Sequence, residues 1–158
     1  MNITFSNQIT ADKVNAMRLK KGWQPIFPEE LQASLDGSSY IVAAYDGGEA
    51  LGMARLIWDG GSKALIMDLH VVPPCEMQDL GVKLVDKILD FLRDKLKPGY
   101  GIQVDIRAWN NEVQVFENMG FQISTHERRG IPMHICLTDQ VELTDAMFKQ
   151  CVYEKAER

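Results

Sequence analysis

The sequence predicts a single α/β domain, a mixed and mostly antiparallel sheet with helices on both faces. Three features carry that reading. Two apolar runs double back at Asp46-Gly47-Gly48, and a second reversal follows at Asp59-Gly60-Gly61, a strong hairpin signal in each case. A long amphipathic helical pattern then interrupts the strands. The remaining segments alternate in type, giving the order β-α-α-β-β-β-α-β-α-β-α.

Each element has its own local cause. "NITFS" alternates apolar and polar residues and reads as a short first strand. "TADKVNAMRLKKGW" opens on Thr10 as a capping residue, sets Val14, Met17 and the stem of Arg18 on one face, and stops at Gly22. "FPEELQASLDGS" has proline and two acids in a helix's first turn and Gly37 after its last. The two hairpins supply three consecutive antiparallel strands. "LGVKLVDKILDFLRDKL" places Leu80, Leu84, Ile88, Phe91 and Leu92 on one stripe before Pro98-Gly99. "GIQVDIRAW" reads as a buried strand, "NNEVQVFENMGF" as a short helix ending at Gly120, and "IPMHICL" as a last strand. "LTDAMFKQCVYEK" closes the order as an amphipathic helix starting near Thr144 or Asp145.

Composition excludes several classes. A chain of 158 residues with 46% hydrophobic and 25% charged content is ordinary for a soluble globular domain. A net charge of −5 lacks the basic footprint of a nucleic-acid binder. No apolar run reaches the ~20 residues of a membrane span, and the amino terminus has neither a basic start nor an apolar signal core. Cys75, Cys136 and Cys151 are odd in number and without metal-ligand spacing, as are His70, His126 and His134. Free thiols in a reducing cytoplasm, with no metal site and no membrane or nucleic-acid partner, are the expectation.

The informative stretch is "VVPPCEMQDLGVKL", Val71 to Leu84. It runs from a strand through a proline-marked turn into a helix start, a geometry that holds anions on backbone N–H groups. The fuller run "LHVVPPCEMQDLGVKLV" resembles the cofactor-binding segment of the GCN5-related N-acetyltransferases, whose pattern is L-x-V-x-P, then [QR]-x-x-G-x-[GA], two residues and a Leu. Leu69, Val71, Pro73, Gly81 and Leu84 match in register. "NNEVQVFENMGF" is similar to that family's second signature through Gly120, Phe121 and an Asn at 110 or 111. Gly22-Trp23, Gly52 to Arg55 and Asp68 resemble a bacterial subgroup acting on small molecules.

The resemblance implies the family's acyl-CoA N-acyltransferase fold over residues 1–158, acetyl-CoA as cofactor and a small-molecule amine as acceptor. It implies cofactor contacts from Leu69, Val71, Glu76, Met77, Gln78, Asp79, Leu80, Gly81, Val82, Asn110 and Phe116. The amides of Met77 to Val82 would face the pyrophosphate, and strand groups would polarise the thioester. Asp68 and His70, two apart on one strand, are the candidate catalytic residues, either one able to accept the ammonium proton. A hydrogen-bonded structural pair is the alternative reading of the two. Trp23 and Arg55 are candidate substrate residues. Arg55 and Arg107 are also candidate partners for Asp68 or Asp105, and Trp23, Trp58 and Trp109 could together wall a substrate pocket, although lone tryptophans more often fill cores. "HERRG", His126 to Gly130, is a charged loop.

Three positions depart from the family pattern. Glu76 stands for Gln or Arg and Asp79 for the first Gly, adding negative charge beside a diphosphate. Phe116 stands where the family often has a thiolate-protonating Tyr, and Phe has no proton to give. They keep open a second reading, a protein that has retained the fold but binds another ligand or partner with weak or no transfer. Residues 139–158 form a helical extension past the strand that completes this fold. Their apolar stripe of Val141, Ala146, Met147, Phe148, Cys151 and Val152 needs covering by the domain's own sheet or by a second subunit, so a homodimer is one expectation.

Overall fold

The computed structural model describes residues 1–124. The expected strand at 131–137, the extension at 139–158, the loop at 126–130, His126, His134, Cys136 and Cys151 lie outside the described residues. The order is β1 (Ile3–Ser6), α1 (Ala11–Lys20), α2 (Pro28–Asp36), β2 (Tyr40–Asp46), β3 (Glu49–Trp58), β4 (Lys63–Val71), one π-helical turn (Met77–Gly81), α3 (Val82–Lys95), β5 (Gln103–Ile106) and α4 (Val113–Asn118). The five strands lie in chain order, antiparallel from β1 to β4 and parallel between β4 and β5.

Local chemistry sets these limits. Thr10 caps α1 by accepting from the Lys13 amide, and Gly22 leaves the helix at φ 73°. Pro28 starts α2, where its missing N–H costs nothing. Asp46 pairs with Glu49 across Gly47 and Gly48, both at positive φ, so the first hairpin closes in two residues. In the second, Asp59 Oδ1 accepts from the amides of Gly61 and Lys63.

The sheet lies between two helical layers. Gly52 faces Leu80 and Leu84, which places α3 on that side. Arg55, three residues on and so on the opposite face, bonds the Ser34 carbonyl of α2. Leu80, Leu84, Ile88 and Leu92 are buried, as the stripe predicts, with Val85 beside them. Phe91 is half-buried and stacks on Tyr40 at 4.2 Å. The strand expected to be buried is shorter and more exposed than its composition suggests. β5 has four residues, and Asp105, Arg107 and Trp109 face solvent. Its pairing stops at Ile66–Ile106, where β4 begins to change course.

Candidate active site

That change of course is a β-bulge. Met53 pairs with His70 and Arg55 with Met67, so Ala54 alone on β3 opposes both Asp68 and Leu69 on β4. Asp68 sits at φ 49°, a region that Asp tolerates better than most residues with a Cβ. Past Ile66, β4 continues to Val71 with no strand on its β5 side among the described residues. The result is a wedge bordered by main-chain groups of Leu69 and Val71.

Asp68 and His70 both reach the α1–α2 side, in distinct environments. The Asp68 carboxylate forms a salt bridge with Arg55 Nε, the two side chains being 11% and 12% exposed. His70 is only 2% exposed and meets Trp23 edge-on at 5.0 Å. Burial lowers the His70 pKa to about 4, the Asp68 charge opposes this, Lys21 and Arg18 add to it, and a hydrogen bond with the Leu69 backbone opposes it. His70 is therefore a neutral imidazole at physiological pH.

Trp23 is buried and carries cations on its ring, with Lys21 Nζ 4.4 Å and Arg18 Cζ 5.6 Å from the centroid. Arg18 donates from Nε to the Gln24 carbonyl at 2.8 Å; burial lowers its pKa and the Asp68 charge raises it. Asp68, His70, Trp23 and Arg55 thus meet at one place. Arg18 and Lys21 join them, and sequence reasoning assigned neither a part in the site. The one available signal was a charged residue among Val14 and Met17 on the apolar face of α1.

The turn after β4 is ordered differently from the expectation of six outward amides. The N–H groups of Asp79, Leu80 and Gly81 all donate to the Glu76 carbonyl, at 3.2, 2.9 and 3.5 Å. The Val82 N–H bonds back to the carbonyls of Asp79 and Met77. Met77 and Gln78, the first two positions, keep amides without an intrahelical acceptor. Glu76 and Asp79 are exposed, and Gln78 donates its side-chain amide to the Glu76 carboxylate. The Met77 thioether lies over Gly81, where an added Cβ would collide with the sulfur.

Of the remaining positions, Asn110 is exposed, and Phe116 is buried at 2% exposure with its ring 6.0 Å from Phe121. Cys75 is half-buried with its Sγ 4.0 Å from Met1 Sδ. An open groove of about 940 Å³ lies elsewhere, lined by residues that include Ser6, Lys13, Gln32 and Tyr45 and by none of the site residues expected from sequence. Among the described residues no cluster could hold a metal ion, and no helix is long and apolar enough to cross a membrane.

A sheet in chain order, a bulged fourth strand and a strand–turn–helix beyond it define an acetyltransferase fold. The chain matches the acetyltransferase (GNAT) domain over residues 6–137, and it belongs to that family. No curated protein matches it. A GNAT family acetyltransferase from Streptococcus pneumoniae is similar in structure, with TM-score 0.66 and 24% identity, over 88% of this chain and 98% of that one. So is a protein of unknown function from meticillin-resistant Staphylococcus aureus, described as a probable acetyltransferase, with TM-score 0.72 and 21% identity, over 84% of this chain and 99% of that one. A Trypanosoma brucei acetyltransferase aligns with TM-score 0.64 and 18% identity, over 86% and 100%. At these identities the likeness carries the fold and nothing finer. Family membership supports acetyl transfer as the activity class, and the family generally uses acetyl-CoA.

The residues present fit such a cofactor. The β4 edge past Ile66 offers a strand-like partner for an amide-bearing arm, and the Met77 and Gln78 amides point out of a helix start beside it.

Proposed function

We propose that the protein transfers an acetyl group from acetyl-CoA to the nitrogen of a small primary amine. The observation that carries this reading is the wedge beyond Ile66, which lies beside the bulge residue Asp68 and its buried neighbours. Main-chain groups of Leu69 and Val71 bind the cofactor's arm as a strand edge binds a strand. The turn from Glu76 to Val82 frames the diphosphate; the amides of Met77 and Gln78 supply its first donors, and those of Asp79, Leu80 and Gly81 join them once they leave the Glu76 carbonyl. Asn110 and Phe116 are assigned to the cofactor by the family resemblance, Phe116 from a buried position on α4. When bound, the cofactor supplies an electrophilic acyl carbon and a thiolate leaving group. The new C–N bond replaces the C–S bond. The attacking nitrogen sheds one proton to solvent, and because Phe116 has no proton to give, the thiolate takes one back from solvent.

The acceptor lies on the side of Asp68, His70, Trp23 and Arg55. A histidine neutral down to about pH 4 is poorly matched in basicity to an alkylammonium, and the Asp68 carboxylate is engaged by Arg55. Their work is to orient the amine, which enters already deprotonated.

Acetyl-CoA incubated with a panel of primary amines, with release of free thiol as readout, tests the reading. Thiol release is expected with at least one amine. Its kcat/KM should rise about tenfold per pH unit up to the amine's own pKa, because only the neutral amine enters. A flat profile between pH 6 and 8 would instead make an enzyme group the proton acceptor. A panel that releases no thiol sinks the proposal and leaves the second reading, a fold retained for another ligand.

A further inference from the structure

Gly81 is the one glycine of the cofactor turn that matches the family pattern. In a phosphate-binding turn, a missing Cβ lets an anion approach the backbone closely. Here that space is taken. The Met77 thioether rests against the bare α-carbon of Gly81, and its sulfur stands where a Cβ would project. Met77 is half-buried at the margin of the core, and the sulfur belongs to a flexible, unbranched side chain that can change rotamer.

The main chain under the sulfur is closed as well. Three consecutive amides, those of Asp79, Leu80 and Gly81, crowd onto the single carbonyl of Glu76, and Val82 bonds inside the same turn. A turn wound this way is a π-helical turn, a form less favourable than the α-helix that follows it and frequent at functional sites. Donors committed to Glu76 are not directed at an anion. Releasing them requires the turn to unwind, and the thioether packed across it opposes that.

We propose that Met77 is a latch. It holds the turn closed in the protein without ligand, and a diphosphate binds only after the thioether swings off Gly81 and the amides leave the Glu76 carbonyl. The proposal rests on the acetyl-CoA reading for what opens the latch, though not for the closed state itself. The consequence is an affinity reduced by the fraction of molecules with an open turn. Removing the latch raises that fraction.

Two variants and two readouts test it. Met77→Ala removes the thioether. Gly81→Ala places a Cβ where the sulfur lies and expels it. In the absence of ligand, amide hydrogen exchange at Asp79, Leu80 and Gly81 is expected to speed up in both variants, and adding Gly81→Ala to Met77→Ala should change exchange little further. By calorimetry, Met77→Ala should bind coenzyme A roughly threefold to tenfold more tightly, the gain expected when an open state of about a tenth to a third becomes dominant. Pantetheine lacks the diphosphate, and its affinity should not move.

Unchanged exchange in Met77→Ala overturns the proposal whatever the cofactor does. Faster exchange with unchanged coenzyme A affinity overturns it too, because the contact would then not govern binding. If exchange quickens and neither wild type nor variant binds coenzyme A, the closed turn stands and the acetyl-CoA reading falls.

Discussion

Between pH 7 and pH 4 the folded protein loses about 3 kcal/mol of stability through His70 alone. The sign follows from where the proton goes. An unfolded histidine titrates near its ordinary 6.5, whereas His70 in the fold is held to about 4. Above the ordinary value both states are neutral and the full contribution is present. As the pH falls from there through about 4, the unfolded chain takes the proton first and gains on the fold. The cause is chiefly burial against Trp23. Lys21 and Arg18 add positive charge, and the Asp68 carboxylate and the Leu69 backbone compensate only in part. Urea unfolding of wild type and His70→Gln at pH 7.5, 5.5 and 4 isolates the effect, because carboxylate titrations are common to both proteins. The wild type should lose stability more steeply than the variant across that range. Parallel profiles would show that His70 has no such depressed pKa.

Arg55→Met should cost about 3–5 kcal/mol, the penalty for leaving one member of a buried ion pair without its partner. Asp68 and Arg55 are both nearly enclosed, and Asp68 occupies the left-handed bulge position, so water cannot readily replace the guanidinium. The same guanidinium reaches the Ser34 carbonyl at 3.4 Å, tying the bulge to α2. Adding Asp68→Asn should recover most of the loss, because Asn accepts positive φ and carries no charge to strand. Equilibrium unfolding of the two single variants and the double variant forms a complete cycle. An Arg55→Met protein as stable as wild type would mean that the pair is solvated and the bulge holds itself.

Much of this architecture was legible in residues that act locally. Gly47, Gly48 and Gly60 mark their turns because few other residues accept positive φ there, and Asp59 marks the second by bonding the backbone after it. Leu80, Leu84, Ile88 and Leu92 announce a helix face by spacing alone. The bulge at Asp68 was not legible, because it arises from how β4 pairs with β3 and nothing in "IMDLHVV" requires an extra residue. The short β5 follows from the same departure. At the site, Asp68, His70, Trp23 and Arg55 meet as a group, but their roles depend on burial that a sequence does not display. The seat of Met77 on Gly81 is equally hidden, since only coordinates show which atom fills the space a glycine leaves.

A sheet whose spatial order repeats its chain order also fixes a sequence of events in time. The hairpins β2–β3 and β3–β4 join neighbours in the chain, so each can close within microseconds with little loop entropy lost. The β4–β5 ladder joins residues 40 apart, as in the Lys63–Gln103 contact, and must wait for α3 to fold across the sheet. The wedge is therefore bounded on one side by an early, well-anchored strand and on the other by a late one of four residues. The late side should also be the first to let go: β5 amides should exchange with solvent before those of β3, and the cleft would widen at that border without disturbing the bulge.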